Sequence, residues 1–400
     1  MQYHHYHQLK PLLDSLKTEL RIAIICSGDP RVAGANFYQT YNERHWKSYA
    51  AVADDLKRTL EEAGFRHVVV LADDSSLPNR LAAHRIHLAW LNTAGMQGRN
   101  AMAHTAGLLE SLGIAYVGHS PMNYALMDHK LNLKRMLGGF GIATPDWLTW
   151  HPEHAPDKSD FAQRFRQFAE GDPGPWVVKP VSGRASWYIH VVNDFNELWD
   201  AVHSVYRQTF NQVLIERFLD GPEYCVSVGP ALIHRNQTFE RGPEPLAFSF
   251  LQRLFQQDER IFQSIDHAPL NRKRTRLIQP TEEPKLVQHL AQIGRRLYRE
   301  LNLNYLIRVD LRAAKDGTVQ VLEVNPKPDL KRPDEGGTSL VSMGLGQQNM
   351  DYGDLVQSLL GAYLDSNLIH RPKALAGLAE PLAKVSLRPP VRLVSSAEGF

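Results

Sequence analysis

Two short segments, YLIRVDLR at 305–312 and TVQVLEVN at 318–325, flank the dipeptide Asp316-Gly317. Asp-Gly between alternating apolar runs predicts a β-hairpin. A two-residue loop would set Leu311 opposite Leu322 and Val309 opposite Val324, making one face apolar. The other face would then pair Asp310 with Glu323 and Arg308 with Asn325. Opposed side chains in such a hairpin lie about 5 Å apart. Two carboxylates at that distance repel unless a cation lies between them. A hard divalent ion bound through oxygen would serve, and so would Arg308 on a solvated face. The hairpin alone leaves both readings open.

Other residues of the same chemical character occur upstream. Lys130 precedes Lys134 by four residues, so on a helix they share a face. Lys179 ends the apolar run WVV and precedes Pro180 and the small-residue segment SGRAS (182–186). A turn of that kind offers backbone N–H groups to a phosphate. Glu216 follows VLI, and Glu223 lies seven residues later. Each feature also has an ordinary reading: a solvated helix face, a surface lysine, a hairpin glycine, or acids at a strand end.

The elements that position these residues fall into sections. Strands at 21–26, 67–72, 86–92 and 114–119 alternate with helical stretches at 46–63 and 101–112, the pattern of a doubly wound parallel sheet. A helix is expected at 121–138. A strand–turn–strand at 176–192, a helix at 195–206 and a strand at 212–219 form a small α+β unit. A further α+β unit holds the strand EYCVSVGP, a helix at 284–301, the hairpin and a last helix at 354–364. The expected divisions are a flexible segment 1–20, an α/β domain 21–120, a central lobe 121–219, a C-terminal lobe 220–365 and a Pro-rich tail 366–400. Lys and Arg number 45 against 43 Asp and Glu, a net charge of +2, so no nucleic-acid partner is expected. No apolar run reaches membrane-spanning length. With only Cys26 and Cys225 and no signal-type segment, a cytoplasmic protein without disulfides is expected.

Taken together, the lysine before a phosphate-type turn, the acid after VLI, and Arg-x-Asp with Glu-x-Asn on a hairpin resemble the ATP-grasp superfamily. Within it the D-alanine–D-alanine ligase family is most similar, over roughly residues 20 to 365. The segments carrying the resemblance are GLLESLGIAYVGHSPMNYALMDHKLNLKRML, PWVVKPVSGRASW, VLIERFLDGPEYCVSV, NYLIRVDLR with VLEVNPKP, and TSLVSMG. The resemblance implies a three-domain architecture, an N-terminal doubly wound sheet followed by two α+β lobes enclosing ATP. It implies an ATP-dependent carboxylate–amine ligase that passes through an acyl phosphate and releases ADP and phosphate. Its cofactors would be ATP and two Mg²⁺ ions, with Mn²⁺ as a substitute. Its partners would be a small amino-acid or carboxylate donor and an amine acceptor, and the protein would be a homodimer. By the same resemblance Lys130 and Lys179 contact nucleotide phosphates, and Gly183 to Ser186 close over the terminal phosphate. Glu216, Phe218 and Leu219 receive adenine, and Glu223 receives the ribose. Asp310, Glu323 and Asn325 hold the metal ions, Arg308 faces the reacting carbonyl, and Ser339 lies near the acceptor.

The departures from the family cluster at the substrate ends. The Gly-Glu-Asp-Gly expected in the first domain is replaced by GMQGRNAMAHTAG (95–107). The donor-binding glutamate has Glu43 as its first candidate and Asp29 as its second. The acceptor loop reads NPKPDLKRPDEGGTSLV, with Lys327, Lys331 and Arg332 as added basic groups that either bind an acceptor carboxylate or decorate the loop. No Lys-Tyr lid contact can be placed, and Arg253 is its nearest substitute. That pattern points to the same reaction on other substrates, in small-molecule or peptide natural-product biosynthesis. The alternatives are a D-alanine–D-alanine ligase of cell-wall synthesis and a non-catalytic nucleotide-binding protein.

Overall fold

The computed structural model describes residues 9–27, 49–95, 100–183, 186–256, 259–261, 274–333, 338–370 and 381. Glu43 and Asp29 lie outside them. The first sheet is built from β1 (Arg21–Ser27), β2 (His67–Asp73), β3 (Leu88–Asn92) and β4 (Ala115–Val117), all parallel, in the order β2-β1-β3-β4. Crossovers between parallel strands require helices. Here they are α2 (Ala50–Glu62), α3 (Leu77–Ala83) and α4 (His104–Ser111). The N-terminal segment expected to be flexible forms, from Leu9, the helix α1 (Leu9–Leu16). Its Leu9, Leu13 and Leu16 are buried, because a stripe at spacing three to four lets one helix face join the core.

The helix expected at 121–138 is two helices, α5 (Pro121–Asp128) and α6 (Lys130–Gly139). His129 leaves helical geometry, with φ −104° and ψ 95°, and bridges to Ser182. The central lobe continues with β5 (Trp147–Trp150), α7 (Lys158–Phe168), β6 (Trp176–Pro180), β7 (His190–Val192), α8 (Phe195–Thr209) and β8 (Val213–Arg217). Its antiparallel sheet runs β5-β8-β6-β7, and α7 and α8 cover one face through an aromatic core around Trp150, Phe161 and Trp176.

The C-terminal lobe contains β9 (Glu223–Gly229), the small hairpin β10 (Leu232–Arg235) and β11 (Thr238–Arg241), β12 (Leu246–Arg253), β13 (Thr275–Leu277), α9 (Pro284–Glu300), β14 (Ile307–Ala313), β15 (Val319–Asn325) and α10 (Tyr352–His370). Its five-stranded sheet has the order β13-β12-β9-β14-β15. One face, with Val226, Val228, Val309 and Leu311, packs on α9. The opposite face is turned toward the central lobe.

The hairpin β14–β15 differs from the expected register in two places. Gly317 N–H donates to Ala314 O and Ala314 N–H to Thr318 O, so the loop is Lys315-Asp316-Gly317, with Gly317 at φ 85°. That is a three-residue loop with its glycine in the left-handed region. Leu311 therefore faces Val321, not Leu322. A bulge between Asp310 and Leu311 on one strand and Leu322 on the other then resets the register. Asp310 faces Glu323 and Arg308 faces Asn325, as the simpler hairpin expects.

Candidate active site

A cleft lies between the two antiparallel sheets. Lys130, Lys179, Gly183, Ser186, Glu216, Phe218, Leu219, Glu223, Asp310 and Glu323 all line it. Eight elements or loops contribute to this wall, so folding brings together residues nearly two hundred positions apart.

The central-lobe wall is organised by a buried ion triad. Lys134 Nζ lies 2.7 Å from one Glu216 oxygen and Lys179 Nζ 2.6 Å from the other. All three side chains are at most 7% exposed, so neither lysine is on a solvated face. Burial works to raise the Glu216 carboxyl, but the two ammonium groups outweigh it and hold the pKa below its ordinary value. Burial pushes Lys134 down to about 8 against the pull of Glu216. Lys134 also donates to Thr144 Oγ1 at 2.6 Å, and Thr144 donates to Val321 O at 2.8 Å. The triad thus ties the central lobe to the hairpin.

The break at His129 sets Lys130 at the first turn of α6, where its N–H donates to Val181 O at 2.7 Å. Its ammonium donates to Gly183 O at 2.9 Å and lies 3.3 Å from a Glu323 oxygen. Lys130 therefore links the small-residue loop to the acid of the opposite lobe. Ser186 sits in the left-handed region at φ 55°, a conformation that costs a non-glycine residue free energy and is held by its surroundings. Phe218 N–H donates to Pro175 O at 3.1 Å, so that group is committed within the protein.

On the C-terminal wall, Arg308, Asp310 and Arg312 project from β14 beside Glu223 of β9. Arg308 forms a fork on Asp310, Nε to Oδ1 at 2.7 Å and Nη2 to Oδ2 at 2.8 Å. Arg253 adds a contact to Asp310 Oδ2 at 3.0 Å and also pairs with Glu223. Asn325 Nδ2 donates to Asp310 Oδ2 at 3.1 Å. Burial works to raise the Asp310 carboxyl, but Arg253 and Arg308 hold it at about 2. Glu223 is pushed up by burial, with Arg253 opposing.

Two carboxylates and an amide oxygen on one face are hard oxygen donors of the kind Mg²⁺ uses, with phosphate and water completing the shell. Glu323, with 32% of its side chain exposed, is open to the cleft. Among the described residues no group of three or more His, Cys, Asp or Glu side chains gathers as a metal cage. The donor set suits a small cation shared with a phosphate better than one held by protein alone.

Several cleft residues were not singled out from sequence. The bulge turns Leu322 into the cleft next to Glu323, giving an apolar surface beside the acid. Arg312 lies 4.6 Å from the ring centre of Phe218 and 4.8 Å from that of Phe255, and Arg260 lies 5.1 Å from Phe218. These guanidinium–ring stacks join Phe218 after β8, Arg312 of the hairpin, and Phe255 and Arg260 beyond β12. No periodic signal reports a bulge or a stack between distant segments.

The substrate candidates divide. Lys327 lies 3.4 Å from the ring centre of Tyr49, on the side of the first domain. Arg332 instead pairs with Glu62 at 3.0 Å, and its N–H donates to Asp55, so it is a tether to α2. Ser339 does not reach the cleft surface. It is fully buried, accepts from Ser342 N–H at 3.1 Å and lies 3.0 Å from Ser342 Oγ. Its role here is to close the turn that follows.

The family model for the D-ala D-ala ligase C-terminus matches residues 136–361. The chain belongs to the D-alanine–D-alanine ligase family. As a member of it, this ATP-grasp protein is an ATP-dependent ligase that forms an amide bond. The D-alanine–D-alanine ligase of Aquifex aeolicus is 25% identical over 307 residues, 76% of this chain and 92% of that protein. An uncharacterized protein, y4sG, of Sinorhizobium fredii is 24% identical over 360 residues, covering 85% of this chain and 96% of its own length. The Bacillus anthracis D-alanine–D-alanine ligase complexed with ATP shares the fold, with a TM-score of 0.61 at 20% identity over 86% of this chain and 98% of that one. The three-domain ATP-grasp architecture expected from the resemblance is the one observed. Among the described residues no helix is long and apolar enough to cross a membrane.

Proposed function

We propose that this ligase joins an amino-acid-type carboxylate donor to a small amine acceptor through an acyl phosphate. The observation that carries this reading is the convergence of Lys130, Lys179, Asp310 and Glu323 on one cleft from two lobes, with Arg308 and Asn325 hydrogen-bonded to Asp310. A carboxylate is a poor electrophile, so it first takes the terminal phosphoryl group of ATP. That transfer needs positioning and charge neutralisation rather than a protein nucleophile.

Glu216 and Leu219 would receive the base, Glu223 the ribose, and Lys130 and Lys179 the phosphates. The loop carrying Gly183 and Ser186 would cover the terminal phosphate and keep water from the acyl phosphate. Asp310, Glu323 and Asn325 would hold Mg²⁺. When bound, Mg²⁺ neutralises phosphate charge and aligns the transferring group. Arg308, held by its fork on Asp310, would stabilise the oxyanion formed when the amine attacks. Nothing in this scheme uses Cys26 or Cys225, and both are buried.

The nucleotide-binding positions follow the family, while the acceptor loop carries Lys327 and the tether from Arg332. We therefore assign the chain to small-molecule or peptide natural-product synthesis, as a cytoplasmic homodimer. A second reading, a cell-wall D-alanine–D-alanine ligase, is favoured by the relatives that carry that name. A phosphate-release screen with ATP, Mg²⁺ and paired amino acids separates the two. Release with D-alanine alone supports the second reading, and release only with a mixed pair supports the first. ATP binding without release on any pair would overturn both and leave a nucleotide-binding protein.

A further inference from the structure

The cleft contains more cationic than anionic groups around its metal-type acids. Glu223, Asp310 and Glu323 are three acids, and Lys130, Arg253, Arg308 and Arg312 are four cations in ion-pair contact with them. Arg253 is central to this arrangement. It extends from the end of β12, is only 10% exposed in its side chain, and pairs with both Glu223 and Asp310. Asp310 Oδ2 thereby accepts from Arg308, Arg253 and Asn325 together. A carboxylate has about four lone-pair directions, and among the described residues Oδ1 accepts from Arg308 Nε alone. What Arg253 adds at Asp310 is therefore positive charge beside an oxygen still able to meet a metal.

We propose that Arg253 is a resident cation that keeps free Mg²⁺ off Asp310, so that the metal enters only with a nucleotide. The inference rests on the metal reading above. A bare dication approaching a cleft with excess positive charge is repelled, whereas the metal–nucleotide complex arrives as an anion and is attracted. Nucleotide phosphates then give the guanidinium a competing anionic partner, which draws its positive charge away from Asp310. Arg253 is thus a positioning residue that sets the order of assembly. Free divalent ion would not trap the acids in a nucleotide-less state.

The test measures Mn²⁺ binding to the whole protein by electron paramagnetic resonance of the free ion, with and without ADP, each titration corrected for the Mn²⁺ that the same ADP takes up without protein. Wild type is expected to bind Mn²⁺ at least about tenfold more tightly with ADP than without it, the scale of one unit charge acting on a dication near 5 Å in water. R253M and R253Q should gain about tenfold in nucleotide-free Mn²⁺ affinity, R253K should not, and D310N added to R253M should remove the gain. Circular dichroism identifies the folded variants. Wild-type binding equally tight without ADP would overturn the gate and leave the metal reading standing. A folded R253M or R253Q with unchanged nucleotide-free affinity would do the same. Absence of Mn²⁺ binding even with ADP would overturn the metal reading and the gate together.

Discussion

Glu216 lies between Lys134 and Lys179, so removing its charge has a different consequence from removing one lysine. In E216Q two buried ammonium groups face each other with no anion between them. Stranding a buried charge costs about 3–5 kcal/mol. In K134M the Lys179–Glu216 contact at 2.6 Å survives, and the loss is the 2.7 Å pair and the hydrogen bonds to Thr144 and to Pro145 O at 3.3 Å. These polar contacts without a stranded charge are worth about 1–3 kcal/mol. E216Q should therefore unfold roughly 6–20 °C below wild type, and K134M roughly 2–12 °C below, at about 2–4 °C per kcal/mol for large domains. The double variant K134M/E216Q removes one stranded cation and should be no less stable than E216Q alone. Thermal unfolding followed by circular dichroism reads all four proteins. ATP affinity should fall about ten- to hundredfold in E216Q, the worth of a charge-assisted hydrogen bond. K134M as destabilised as E216Q, or a double variant whose loss equals the sum of the two, would refute the shared-anion account.

The bulge makes neighbouring residues behave oppositely. V321A, at a fully buried position, should lose about 2 kcal/mol of stability, while L322A should raise the KM for ATP with little change in Tm. Asp310 ionises at about 2 in the folded chain against 3.8 as the ordinary value, so on acidification the unfolded chain takes up that proton first. Its contribution of about 2 kcal/mol should be complete above about pH 5, diminish through about pH 4 and 3 and vanish only below about pH 2, and acid titration of D310N should lack that component. K327A should raise the KM for the acceptor with unchanged Tm, whereas R332A should lower Tm slightly and leave that KM alone, as steady-state kinetics and melting together would show.

The sequence alone determined which residue types share a strand face, because side-chain alternation is local and strict. It therefore placed Arg308, Asp310, Glu323 and Asn325 together, and the βαβ pattern of the first domain followed from the same periodicity. It did not determine the loop length or the bulge at Leu322. A three-residue turn and an extra bulged residue shift the register in opposite senses, so the acid pair is right for a reason the two-residue loop does not contain. The break at His129 was also invisible, since the bridge to Ser182 that stabilises it comes from another segment. Only tertiary structure decided which charges are partners. Lys134 reads as a surface residue until Glu216 is folded onto it. Arg332 and Lys327 have the same local character until α2 captures one and Tyr49 the other. The physical reason is that pattern fixes direction from a strand or helix, whereas burial and pairing depend on what arrives from the far side.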